Sequence, residues 1–444
     1  MAHLHPVLRF IYFLLRIFAW LAGHIFYRQR LVLGHSNLKN FHGPALVVTN
    51  HPSTLMDVLN VGLPVPKEMF FLANYGLFKN PVSNWILTRL YCIPIKRKED
   101  VSEGDTRNND SAFEQSFQHL EKEGILFIAP EGYSFMNRWV REFKTGTARI
   151  AFGAESRNNW QLGLKVYPVG LTYSAANLFR SQLVVNYGEP LEMQEWATTW
   201  KQHHAKAVDA LTAELQQRVT QLTIHTRDEA GQELITRLEE LLANARPLPP
   251  VETFERSQWL ANHYLDEEPL QLQVNEYFTA LQKAHLHDIG LENTLRPSAG
   301  LHTFSNSFFL ALASPLFILV YAYWWLPCFL PWLLAKVLKL YVGYDSTLKV
   351  IAGAITFPMW LWGTYRLVLY FSGSSAWAWL AIVGLVALGF LVERYQDIFR
   401  ASWEKQKTVF FAGKHPEAWS ELIKKRTDLL ALLPVRQMIL DTGQ

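Results

Sequence analysis

The stretch "VVTNHPSTLMDVLN", residues 47–60, sets an apolar strand-like run directly against a histidine, a serine and an aspartate. A strand that gives way at once to ionisable residues and a helix start suits an open α/β sheet, whose ligands sit at the carboxyl ends of strands. Pro52 favours an extended or turn conformation, and Ser53 is placed to cap a helix beginning at Thr54. On that helix Asp57 falls in the first turn and points back towards His51. Their spacing of six does not fit one face of a continuous helix, where partners lie three or four apart. Joined through the turn, they form a base with an orienting carboxylate, the pairing that draws a proton from a hydroxyl near neutral pH. The same residues also fit an ordinary surface turn, so the rest of the chain has to decide.

Outward from this stretch, residues 31–195 alternate short β-like runs with helical ones. "ALVVTN", "MFFLAN", "CIPIKR", "GILFIAP", "VYPVGLTY" and "QLVVNYGEP" read as strands, with amphipathic segments between them. This predicts an α/β fold with a mixed, largely parallel sheet flanked by helices. The continuous apolar run "ILFIA" suits a strand covered on both faces. Residues 196–302 turn polar and helical and carry no chemical motif, which predicts an accessory helical region.

Residues 303–393 are apolar enough for membrane hairpins, one over 303–343 bent at Pro327 and Pro331 and one over 348–393. Many of the 16 tryptophans fall here, a composition suited to a membrane interface. Residues 1–30 predict a membrane-associated helix whose Arg9 and Arg16, seven apart, share a face; that favours a surface helix over a spanning one. The tail, 394–444, holds nine Lys or Arg and should stay cytoplasmic, so a cytoplasmic catalytic domain requires an even number of crossings.

Composition excludes some classes. Lys and Arg total 42 against 39 acids, a net charge of +3, which gives no basic excess for nucleic acid. Cys92 and Cys328 offer neither a disulfide framework nor metal-ligand spacing. No G-x-G-x-x-G and no G-x-S-x-G occurs, so neither a nicotinamide cofactor nor a serine lipase is called for.

Three further motifs could carry chemistry. "LFIAPEGYS" puts Glu131 and Gly132 directly after a buried strand, as His51 follows its own. "CIPIKRKED" ends a strand on Arg97, which suits bidentate capture of phosphate but also fits a solvated strand end. In "REFKTGTARIAFGA", Lys144 precedes a helix start, an anion-friendly place that is also compatible with plain capping.

The order of these blocks, "NHPSTLMD", "LFKNPVSNWILTRLYCIPIKR", "APEGYSFMNRWVREFKTGTARIA" and "YPVGLTY", resembles the glycerolipid acyltransferase superfamily over roughly residues 30–195. The helical insert, the apolar C-terminal region and "NLFRSQLVVNYGEP" look like its branch of fungal-type glycerol-3-phosphate and dihydroxyacetone-phosphate acyltransferases and their bacterial relatives. The resemblance implies a membrane-bound O-acyltransferase of phospholipid biosynthesis, multi-pass, with its catalytic domain on the cytoplasmic face. A fatty acyl group would pass from acyl-CoA or acyl carrier protein to glycerol 3-phosphate or dihydroxyacetone phosphate, with no cofactor or metal. By the same resemblance His51 is the general base, Asp57 its orienter, and Arg97 the holder of the acceptor's phosphate. Glu131 and Gly132 would bind its glycerol part, Pro168 would shape the pocket, and Arg180 would belong to the branch's Phe-Arg-Ser element. Five residues separate His51 from Asp57 where four are commoner, and Tyr133 stands where the third block often has Thr. Lysophosphatidic acid as acceptor, and an inactive membrane scaffold, are the alternative readings.

Overall fold

Two strands with no exposed side chains hold the middle of the sheet. The computed structural model describes residues 6–39, 41–89, 91–96, 109–295, 299–338 and 341–433. Of these, the residues up to Asp228 together with Tyr341–Thr347 form one compact unit, and those from Glu229 to Leu338 and from Leu348 onward form a second.

In the first unit the chain runs α1 (Pro6–Phe26), β1 (Tyr27–Leu33), α2 (His35–Leu38), β2 (Ala45–Thr49), α3 (Leu55–Gly62) and β3 (Met69–Asn74). It continues through α4 (Pro81–Arg89), β4 (Cys92–Ile95), α5 (Asp110–Glu121), β5 (Ile125–Ile128) and α6 (Gly146–Arg157). β6 (Lys165–Tyr173), β7 (Ser181–Tyr187), β8 (Leu191–Glu192), α7 (Ala197–Gln202) and α8 (His204–Gln221) complete it. The sheet order is β1-β7-β6-β2-β5-β3-β4, with β8 on β6. All neighbours are parallel except β6 with β7 and β6 with β8, so the sheet is mixed and largely parallel.

β2 and β5 are buried throughout, because helices cover both faces of the parallel core. Leu46, Val48, Leu126, Ile128 and Val166 pack against Ile150, Phe152 and Ala154 of α6 and Leu211, Leu215 and Val219 of α8. Burying each such large side chain contributes ~1.5–3 kcal/mol. That packing also explains why the sheet unit runs on to Asp228 instead of ending near residue 195. α8 has the polar outer face expected of an accessory helix, but its apolar stripe is part of the sheet's core.

β1 departs from the expected helix over 1–30. "YRQRLVL" leaves the helix at Tyr27 and pairs in parallel with β7, from Tyr27 opposite Ser181 to Leu33 opposite Asn186. α1 turns its arginines onto the protein. Arg16 donates to the carbonyls of Leu63 and Val65, both at 2.8 Å, and Arg9 lies 3.8 Å from Glu68. Phe10, Phe13, Leu14 and Trp20 face outward. The shared arginine face therefore docks on the sheet unit.

The second unit holds α9 (Glu229–Ala245), α10 (Pro250–His263), α11 (Glu268–Lys283), α12 (Asp288–Leu295), α13 (Ala299–Leu338), most of α14 (Asp345–Ser372), α15 (Ser375–Lys414) and α16 (Pro416–Leu432). Fully buried Asp288 joins three of these helices, accepting from Asn244 at 2.8 Å, Tyr277 at 2.5 Å and Arg426 Nε at 2.7 Å. The chain does not turn back at Pro327 and Pro331 as expected: α13 is one helix of 40 residues containing Pro315, Pro327 and Pro331. Neighbouring helices re-satisfy what proline frees in such apolar bundles. Here Pro331 leaves the Pro327 carbonyl without its intrahelical donor, and the Thr356 hydroxyl donates to it at 3.3 Å. α14 and α15 turn at Gly373, where φ is +63°, and α15 carries on past Glu393 to Lys414. By length and composition, Pro6–Phe26, Phe308–Leu338 and Ser375–Lys414 are each long and apolar enough to cross a membrane.

Candidate active site

The parallel register of β2 and β5 builds the site. Val48 is level with Ile128, so His51 and Glu131, each three residues further on, leave the sheet side by side. Glu131 Oε2 accepts the backbone N–H of His51 at 3.0 Å, and its Oε1 accepts that of Arg141 at 3.0 Å. Asn50 prolongs the ladder towards β6: its side-chain amide exchanges hydrogen bonds with the N–H and C=O of Leu171 at 2.8 and 2.9 Å. Two residues beyond Leu171, β6 delivers Tyr173 beneath the turn.

His51 Nδ1 lies 2.9 Å from Asp57 Oδ2. A carboxylate only accepts, so Nδ1 is the donor and the neutral ring keeps Nε2 as its free acceptor. The imidazole is partly exposed, at 20%, while Asp57 is fully buried. Oδ2 of Asp57 also accepts the Ser53 N–H at 2.7 Å, and Oδ1 accepts the Tyr173 hydroxyl at 2.7 Å. Burial and the neighbouring Asp57 push the Tyr173 phenol well above its ordinary range, which keeps it a neutral donor. Asp57 is thus held from both sides as an orienter. The expected Ser53 cap does not form: α3 begins at Leu55, Thr54 precedes it, and the carboxylate of Asp57 reaches back to the Ser53 amide instead.

Glu131 is 5% exposed, and burial raises its carboxyl from 4.5 to about 7 against the two backbone donors that lower it. It ties the His51 strand end to the 131–144 loop. Gly132 sits at φ +77°, where a Cβ would stand 2.9 Å from Lys144 Nζ, so glycine both fits the backbone and leaves room for the lysine. Lys144 is anchored by its N–H to Pro130 O at 2.9 Å just before α6, with Nζ 5.1 Å from the Tyr133 ring. The Arg141 guanidinium lies 4.7 Å from the rings of both Phe135 and Trp139, a cation held by aromatic faces.

His51, Asp57, Glu131, Gly132 and Lys144 are therefore brought together. Arg97 lies outside the described residues. Arg180 lies at the end of α1, where it donates to the carbonyls of Ile25 and Tyr27 at 3.2 and 3.3 Å. A cation there complements the helix C-terminus. Pro168 is on β6 opposite Val48. Sequence reasoning missed Tyr173, which lies 116 residues from Asp57 and has no motif spacing to betray it. Among the described residues no group of three or more His, Cys, Asp or Glu could hold a metal ion.

A histidine with a buried orienting carboxylate, at the carboxyl end of a parallel strand, is an arrangement that can draw a proton from a hydroxyl. Residues 29–172 match the family model described as Acyltransferase, and this part of the chain is similar to acyltransferases of glycerolipid synthesis. The chain is 27% identical over 143 residues to a chloroplastic 1-acyl-sn-glycerol-3-phosphate acyltransferase of Arabidopsis thaliana, covering 32% of this chain and 38% of that one. It is 26% identical over 189 residues to glycerol-3-phosphate O-acyltransferase 2 of Saccharomyces cerevisiae, covering 41% and 25%. The match thus spans well under half the length of either relative. The crystal structure of the lysophosphatidic acid acyltransferase PlsC from Thermotoga maritima is 18% identical, with a TM-score of 0.35, covering 49% of this chain and 83% of that one.

Proposed function

We propose that the protein transfers a fatty acyl group from a thioester, acyl-CoA or acyl carrier protein, to the hydroxyl of glycerol 3-phosphate or dihydroxyacetone phosphate. The observation that carries this reading is the His51–Asp57 pair at 2.9 Å, with Nε2 left free as a base. Nε2 takes the hydroxyl proton as the oxygen attacks the thioester carbonyl. The tetrahedral intermediate then expels the thiolate, which recovers that proton from the imidazolium, leaving ester and thiol. Asp57, fixed by Ser53 and Tyr173, stabilises the imidazolium without taking the proton. Lys144 and Arg97 hold the acceptor's phosphate and so position its hydroxyl, while Glu131 and Gly132 frame its glycerol part. Arg180 has its support in the branch resemblance, and its guanidinium serves the end of α1.

The apolar helices fit an acyl chain and product that belong in a bilayer. In this reading the protein is a multi-pass membrane protein with its catalytic domain on the cytoplasmic face. Lysophosphatidic acid is the rival acceptor, since one of the relatives acts on 1-acyl-sn-glycerol 3-phosphate by name. Membranes carrying the protein would be offered glycerol 3-phosphate, dihydroxyacetone phosphate or lysophosphatidic acid with each type of thioester. Ester formation on either of the first two supports the proposal; ester formed only on lysophosphatidic acid refutes it.

A further inference from the structure

Thr54 lies midway between the base and its orienter, and its backbone is strained. Its φ of +47° with ψ of −122° is a true outlier for a β-branched residue. Such conformations persist only where the surroundings over-determine them, and they gather at active sites. What surrounds this one comes from far along the chain. The Thr54 hydroxyl donates to Gly343 O at 3.1 Å and meets Thr347 Oγ1 at 3.0 Å. Having one proton, already given to the carbonyl, Thr54 Oγ1 must accept from Thr347. Next to it, Ser53 Oγ lies 2.8 Å from Ser346 Oγ, across a sequence separation of 293. Ser53, Thr54, Ser346 and Thr347 are all buried, with Ser346 wholly so. Gly343 comes so close that a Cβ there would stand 3.3 Å from Ser134 Oγ, the atom that accepts the Thr54 N–H at 3.2 Å. Tyr341–Thr347 accordingly belongs to the sheet unit, although the chain on either side of it does not.

We propose that residues 341–347 form a positioning strap for the catalytic turn. The strap holds Thr54 in its strained conformation, so that the Ser53 N–H stays on Asp57 and Asp57 stays on His51. It touches no reacting atom and supplies no proton. The proposal rests on the acyl-transfer reading for its kinetic consequence but not for its structural one. The turn before α14 and the first residues of that helix thereby complete a site whose other parts lie within residues 50–173.

The test uses the full-length protein in membranes or detergent. In the double variant Ser346→Ala/Thr347→Val the hydroxyls are lost at nearly constant volume. Thr347→Ser keeps its hydroxyl. Thr364→Val removes a hydroxyl of α14 that faces Tyr323 and not the turn. Hydrogen exchange of the peptide covering residues 50–58 should rise about ten-fold at the Ser53 and Thr54 amides in the double variant alone. Its kcat should fall about ten-fold with both KM values within two-fold of wild type, whereas Thr347→Ser and Thr364→Val keep wild-type kcat. Unchanged exchange in the double variant overturns the strap whatever the activity does. A kcat loss shared by Thr364→Val, or a rise in KM at constant kcat, overturns the positioning role. An inactive wild type whose double variant still shows the exchange change would sink the acyl-transfer reading and leave the strap standing.

Discussion

Tyr173→Phe removes one oxygen from the site and should slow catalysis without touching the substrate. The phenol donates to Asp57 Oδ1 at 2.7 Å, is 5% exposed, and is the partner of Oδ1 among the described residues. Hydrogen bonds to a charged group contribute ~1.5–3 kcal/mol. At ~1.36 kcal/mol per factor of ten, complete loss of its effect on the transition state would cost roughly 10–100-fold in rate. Asp57 keeps Ser53 N–H and His51 Nδ1 on its other oxygen, so the lower end, about ten-fold in kcat, is expected. KM for acceptor and donor should not change, because the phenol lies beneath the orienter and away from the crevice. Initial rates of thiol release from a thioester, with glycerol 3-phosphate varied, read both quantities. Wild-type kcat in Tyr173→Phe, or a KM effect at constant kcat, would refute the claim that this phenol acts through Asp57.

Two other outcomes follow from the loop after β5. Burial raises the Glu131 carboxyl from 4.5 to about 7, so between those values the folded protein binds more protons at this group than the unfolded chain does. Its contribution is therefore greatest below about pH 4.5 and is lost as pH rises to about 7, by about 3 kcal/mol at ~1.36 kcal/mol per pKa unit. Unfolding of wild type and Glu131→Gln followed from pH 4.5 to 8 should show this decline only in wild type; parallel profiles would count against it. Gly132→Ala places a methyl at φ +77° and 2.9 Å from Lys144 Nζ, a left-handed strain of ~1–2 kcal/mol. It should raise KM for the phosphate acceptor several-fold with kcat near wild type, and an unchanged KM would detach Lys144 from acceptor binding.

What the sequence made legible was local. The strand ends at His51 and Glu131 were readable because apolar runs and polar termini lie within a dozen residues. Their shared crevice was readable because parallel strands present the same end to a ligand. β1 was hidden because its arginines continue a helix that already carries Arg9 and Arg16, and only pairing with β7, about 150 residues later, makes it a strand. Tyr173 and the 341–347 strap were invisible for the same reason: their contacts with the turn span 116 and 289–293 residues. The prolines of α13 misled because proline breaks helices in water, whereas a neighbouring helix here supplies a donor, Thr356, to the Pro327 carbonyl that Pro331 frees. Arg180 sits next to a recognisable element, and its bonds to the carbonyls at the end of α1 had no sequence signal because they span about 150 residues.

In the proposed reaction His51 takes the proton from the acceptor hydroxyl. This step is tested most directly by acyl transfer to glycerol 3-phosphate in membranes carrying wild type or His51→Ala at matched expression. Wild type should form ester, and His51→Ala should lose at least about 100-fold in kcat, as expected for a general base. Equal rates in the two would contradict it.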